Sequence, residues 1–197
     1  MDSNGYIQMF MNSGEPDIQD ILQLLAKTNS TPNVQVKNLG GNTYGAFNNL
    51  TNTLMLSPQG GNTNTVSHEL THALNYQMNN RALDLQDQSK DLRNPALSSA
   101  DQQFLDAYQK LRPFQSKLIP NDNSDYGKYR YSPTEVQAFG VGNSVDQGPG
   151  VEPRAHLDAT MAQEAAILRD LYSRSLAKPQ QTTPSWIDTL LGMMKRP

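Results

Sequence analysis

Apolar residues first fall into a regular pattern after Ser13. Ile18, Ile21, Leu22 and Leu25 follow at i, i+3, i+4 and i+7, which predicts an amphipathic helix from Pro16 to about Asn29, stopped by Thr31-Pro32. Residues 1–12 mix Asn, Ser, Gln and Met without a period and read as a flexible N-terminal arm. Three short extended segments come next, Val34 to Val36, Tyr44 to Phe47 and Thr53 to Leu56, separated by turn signals at Gly40-Gly41-Asn42 and Asn48-Asn49. Together they predict a small sheet. Beyond Pro58-Gln59-Gly60-Gly61, Thr65 is placed to cap a helix through about Met78, with Val66, Leu70, Ala73, Leu74 and Met78 as its apolar stripe. Residues 81–94 are weakly periodic and read as helix or loop.

Ser98 to Asp101 has the form of a capping box, and Phe104, Leu105, Tyr108 and Leu111 give a helical face that Pro113 is expected to end. A polar, tyrosine-rich loop over 121–132 leads into a short helix opened by Ser132-Pro133-Thr134-Glu135, with Val136 and Phe139 on one side. Gly140, Gly142, Gly148 and Gly150 predict a flexible connection to a long helix from about Ala155 to Leu176. Residues 178–184 read as a linker, and Trp186, Ile187, Leu190, Leu191 and Met194 form one face of a terminal amphipathic segment. The expected organisation is an arm (1–12), one domain (13–177), and a linker with a C-terminal tail (178–197).

Composition narrows the partners. Sixteen Lys plus Arg stand against 19 Asp plus Glu, a net charge of -3, so the basic footprint that phosphate backbones require is missing and nucleic acid is set aside. No run reaches the roughly 18 apolar residues of a membrane helix, and the first basic residue is Lys27, so a secretory n-region is missing too. The expectation is a soluble protein, cytoplasmic or virion-associated, with the compartment left open. With no Cys in the chain, any metal must be held by His and carboxylate ligands.

The chemistry concentrates in His68-Glu69-Leu70-Thr71-His72. Four residues apart on a helix, the two imidazoles share a face one turn apart and can reach one ion. Val66, Leu70, Ala73 and Leu74 fall roughly 140–240° around the helix from His68, so the core lies on the other side. Glu69 projects about 100° from His68, where a carboxylate can take a proton from a water polarised by the metal.

The run from Thr65 to Leu74 resembles the active-site helix of the zincin metallopeptidases. The resemblance covers about ten residues. It implies an α+β, zincin-like fold with a small sheet, an active-site helix and a mainly helical remainder, in which Thr53 to Leu56 takes the place of the edge strand bordering the cleft. It also implies Zn2+ bound by His68, His72 and a third protein ligand, with one position open.

Asn75 and Met78 exclude the metzincin continuation of the motif. Asp122 and Asp125, near Tyr126-Gly127, match the aspzincin pattern only loosely and stay in reserve. Glu135-Val136-Gln137-Ala138 fits the gluzincin pattern, a Glu followed three residues later by a small residue. Glu135 also completes a capping box with Ser132, so two roles compete for one carboxylate. His156 is the rival ligand, or a donor to the developing oxyanion; Tyr131, with Tyr126 and Tyr129, is another oxyanion candidate. Asn75 is a candidate for orienting a ligand from behind.

The function implied by the resemblance is a zinc-dependent metallopeptidase that cleaves a protein or peptide substrate, with Glu69 as general base. The alternative is a structural or assembly protein, for instance of a phage particle, that keeps this scaffold and binds partners through its terminal arms. The C-terminal tail is the candidate contact with another protein, or an autoinhibitor of the cleft.

Overall fold

The computed structural model describes residues 7, 9–12, 14–41, 43–59, 62–91, 96–115, 133–145 and 155–177. The first helix, α1 (Pro16–Lys27), starts on a proline whose fixed φ suits a first turn, with Asp17 near its positive end and Lys27 near its negative end. Its inner face is Ile18, Ile21, Leu22, Leu24 and Leu25. Asn29, at φ 52, turns the chain out of the helix, and the Ser30 N–H returns to Leu25 O at 2.8 Å.

Three strands follow, β1 (Asn33–Val36), β2 (Gly45–Asn48) and β3 (Thr53–Leu56), in the order β1-β3-β2. β1 runs parallel to β3 with Val34 beside Leu54, and β2 runs antiparallel to β3 with Gly45 opposite Leu56 and Phe47 opposite Leu54. The Asn48 side chain accepts the N–H groups of Leu50 and Thr51 to tie the hairpin between them. The order corrects one expectation. Thr53 to Leu56 is the central strand, nearly buried throughout, and β2 is the edge strand that lies on the next helix. A four-residue apolar strand with a neighbour on both sides buries more than an edge position allows.

The long helix α2 (Thr63–Lys90) is capped by Asn62, whose side chain accepts the Thr65 N–H at 2.8 Å, so the cap stands three residues before the predicted Thr65. It continues to Lys90 because Ala82 and Leu85 extend the buried stripe and Arg81 bonds Asp101 at 2.6 Å and Ser175 O at 3.1 Å. The next helix, α3 (Ser99–Gln115), opens at the predicted cap, where Ser98 Oγ accepts the Asp101 N–H at 3.1 Å and donates to Asp101 Oδ2 at 2.7 Å. It passes Pro113 by two residues, since a proline in the last turn removes one backbone bond there and leaves the preceding turns intact.

Helix α4 (Pro133–Val145) runs through Gly140 and Gly142, which were expected to belong to a flexible connection. Packing of α4 on both α2 and α5 (Ala155–Leu176) outweighs the low helix propensity of glycine.

A single apolar cluster joins α1, the sheet, α2, α3 and α5, with Phe104 stacked near Tyr108 and Tyr172 at 5.8 and 5.4 Å between ring centroids. Arg169 of α5 is buried and grips α1 through Asp17 and through Asp20 at 2.9 Å. Phe10 lies in the same cluster with Ile7 and Met11 packed against it, so these residues of the expected arm are part of the domain rather than free of it. The arrangement is α+β with a small mixed sheet and mostly helices. Among the described residues no helix is long and apolar enough to cross a membrane. The predicted linker and tail, 178–197, lie outside the described residues.

Candidate metal centre

Because Val66, Leu70, Ala73 and Leu74 anchor one side of α2 in the core, His68, Glu69 and His72 are turned to the other side. That side is not solvent. Helix α4 covers it, and His68 and Glu69 are 6% and 7% exposed. Two small residues allow the approach: Ala138 is fully buried, and a Cβ on Gly142 would come 3.1 Å from Asn64 O, tighter than ordinary contact. Glu135, in the first turn of α4, is thereby brought to both imidazoles.

Glu135 Oε2 stands 3.1 Å from His68 Nε2, Glu135 Oε1 stands 3.3 Å from His72 Nε2, and the two Nε2 atoms are 3.2 Å apart. Ligands held at about 2.0–2.1 Å around a tetrahedral zinc ion stand roughly 3.3–3.4 Å from one another, and the Nε2–Nε2 distance and the two imidazole–carboxylate distances, which end on separate oxygens of Glu135, are each close to that. A hydrogen-bond account of the same atoms is incomplete. Glu135 Oε2 is buried and no described donor points to it with hydrogen-bond geometry, although His68 Nε2 is so close. A single proton can bridge one of these contacts. A divalent cation satisfies all three, and two imidazoles with a carboxylate form a donor set that zinc accepts.

Electrostatics agree with the convergence. Burial alone would raise the Glu135 pKa, but the two imidazoles beside it outweigh that and hold the carboxyl well below the usual carboxylate range. Burial alone would lower His72, yet the hydrogen bond and charge of Glu135, with the charge of Glu69, raise it. The two shifts have one cause, the closeness of the Glu135 carboxylate to the imidazoles.

Glu69 stands apart from this triangle. Its Oε1 is 4.0 Å from His68 Nε2, and burial pushes its pKa up despite the imidazoles nearby and the Phe47 N–H that hydrogen-bonds it. The ligand atoms of His68, Glu69 and His72 lie within 4.8 Å of one another, so Glu69 is a neighbour of the centre while Glu135 is its nearer carboxylate. Edge strand β2 fits against Glu69 because Gly45 has no side chain there.

Three further residues hold the frame. The Phe139 ring packs edge-on to the His68 imidazole at 4.4 Å, and Asn75 Nδ2 donates to Gln137 Oε1 at 2.8 Å across the α2–α4 interface.

Of the residues singled out in the sequence, His68, Glu69, His72 and Glu135 are brought together and Asn75 lies one turn behind His72. His156 belongs to the first turn of α5, and its side chain is outside the described set. Tyr131, Tyr126, Tyr129, Asp122, Asp125 and Ser132 are outside the described residues as well. Gly45, Phe47, Gln137 and Phe139 were not among the site residues expected from the sequence; a glycine at the start of a strand is the one local signal that could have pointed to a close approach. No family model matches this chain, and no curated protein and no solved structure matches it.

Proposed function

We propose that this chain is a zinc-dependent metallopeptidase of gluzincin type on a zincin-like fold. His68, His72 and Glu135 hold the ion. The observation that carries the reading is the set of two Nε2 atoms and one carboxylate at 3.1–3.3 Å, with a buried carboxylate oxygen that no donor among the described residues meets with full hydrogen-bond geometry. When bound, zinc supplies Lewis acidity, which polarises a carbonyl oxygen and lowers the pKa of a water.

The other tasks fall to the chain. Glu69, raised by burial and oriented by the Phe47 N–H, takes the proton of the attacking water and returns it to the departing amine. The Phe47 N–H that bonds Glu69 points away from β3, so alternate backbone groups of β2, those of Gly45 and Phe47, line its outer edge. No described strand pairs with that edge. An extended peptide laid along it passes its carbonyl groups in front of Glu69, which favours a peptide as substrate.

The test pairs metal analysis with the Glu69→Gln variant. Purified wild type should carry about one zinc per chain and cleave members of a broad peptide pool; Glu69→Gln should keep the zinc and lose about 100- to 10,000-fold in turnover. Zinc at full occupancy with both proteins equally inert on the pool would leave a metal-stabilised assembly protein as the better account.

A further inference from the structure

The Asn75–Gln137 hydrogen bond crosses the same pair of helices as the metal triangle. Asn75 lies three residues after His72, Gln137 lies two after Glu135, and both are more than nine-tenths buried, at 8% and 7% exposure. Elsewhere in this interface Ala138 and Val141 are buried, Gly142 lies close against Asn64, and Phe139 packs on the His68 ring, contacts without the directionality of a hydrogen bond. A buried amide pair has that directionality. If α4 slid along α2 by two residues' rise, about 3 Å, a bond crossing at 2.8 Å would lengthen to about 4 Å, beyond hydrogen-bond reach, and both amides would be left buried without each other.

We infer that Asn75 and Gln137 are positioning residues that fix the register of α4 on α2, so that the Glu135 carboxylate stands against both imidazoles. The inference rests on the metal-binding reading above and assigns the amide pair a part in it. Neither residue touches the ion; they act through the helix that carries Glu135.

The experiment uses the full chain and zinc alone as the probe. Asn75→Leu and Gln137→Met keep side-chain volume and remove one amide each, and the exchanged pair Asn75→Gln with Gln137→Asn restores a donor, an acceptor and the same combined length. Zinc affinity is measured by competition with a chromogenic chelator, and the melting temperature of the metal-free protein is measured beside it. Each single variant should bind zinc about 10- to 100-fold more weakly, and the exchanged pair should recover most of the loss.

Should the single variants fail to fold, Asn75→Leu/Gln137→Met leaves neither amide buried alone and carries the same expectation of weakened binding. A metal-free melting temperature that falls while zinc affinity stays at the wild-type value would overturn the inference, since a merely structural pair behaves that way. Equal affinity in all folded variants overturns it and leaves the metal centre standing, whereas wild type without zinc overturns both.

Discussion

Replacing Gly45 by alanine tests how the edge strand sits on the candidate base. The added methyl would lie 2.7 Å from Thr65 Cγ2, 2.8 Å from Glu69 Cγ and 3.1 Å from Glu69 Oε1. Carbon atoms rest at about 3.5–4.0 Å, so the shortfall is roughly 0.7–1.3 Å and something must move by that much. If β2 lifts off α2, the Phe47 N–H leaves Glu69; if Glu69 rotates, the base itself is displaced. Overpacking of this kind costs about 1–3 kcal/mol, or roughly 2–12 °C in melting temperature for a chain of this size.

A base misplaced by about an ångström costs on the order of 100-fold in rate. The nearest atoms belong to Thr65 and Glu69 rather than to His68, His72 or Glu135, so zinc content should be unchanged. The assays are zinc by emission spectrometry, thermal melting, and kcat/KM on the peptide that wild type cleaves best. A companion change, Thr65→Ser, removes Cγ2 and leaves the Glu69 contacts in place, so Gly45→Ala/Thr65→Ser should recover part of the melting temperature and little of the rate. Wild-type melting and wild-type turnover in Gly45→Ala would refute the close approach of β2 to Glu69.

Zinc-induced stabilisation should widen as pH rises. His72 is raised above its ordinary 6.5 in the metal-free protein, so its pairing with Glu135 stabilises that form below pH 6.5 and is lost as pH climbs through the raised value. Glu135 is lowered, so its contribution is present above its ordinary 4.5 and lost only in stronger acid. Zinc requires His72 without its proton, so affinity should gain about tenfold per pH unit until His72 has titrated, read as the gap in melting temperature between zinc-loaded and chelated samples from pH 5.5 to 8. A gap that stays constant would contradict the proton–metal exchange.

Phe104→Ala, emptying a fully buried position between Tyr108 and Tyr172, should cost about 3–5 kcal/mol in denaturant unfolding and leave zinc stoichiometry alone in the folded fraction. Arg169→Met removes a buried guanidinium from Asp17 and Asp20, which water still reaches, so the loss should stay near 1–2 kcal/mol, about the low end for charged hydrogen bonds.

What could be read from the sequence is local. The i, i+3, i+4 spacing of Ile18, Ile21, Leu22 and Leu25 reports a face within two turns of one helix, and α5 was delimited at Ala155 and Leu176 in the same way. Errors arose where a distant contact decided. The continuation of α2 beyond Met78 depends on Arg81 meeting Asp101 and Ser175 O, 20 and 94 residues away. The helical state of Gly140 and Gly142 depends on α2 and α5 closing around them, which glycine propensity alone argues against. Phe10 showed no periodicity because a single aromatic residue can anchor a segment without a repeating pattern.

The same division runs through the candidate centre. His68, Glu69 and His72 were legible because one helical turn places them, and that geometry belongs to any helix with this spacing. Glu135 was an inference between two roles, capping box and ligand, that have the same local sequence. His68 and His72, 67 and 63 residues upstream, stand 3.1 and 3.3 Å from its two oxygens, a contact that no local reading of residues 132–135 contains. Bringing those atoms together takes small residues at 138 and 142, a glycine at 45 that lets the edge strand reach Glu69, and an amide pair that resists sliding. None of these has a signature of its own, since a small residue or an amide is informative only with its partner in view. On the proposed reading, the helix motif marks two of the ligands, and the residues around it determine whether a third ligand and a base stand beside them.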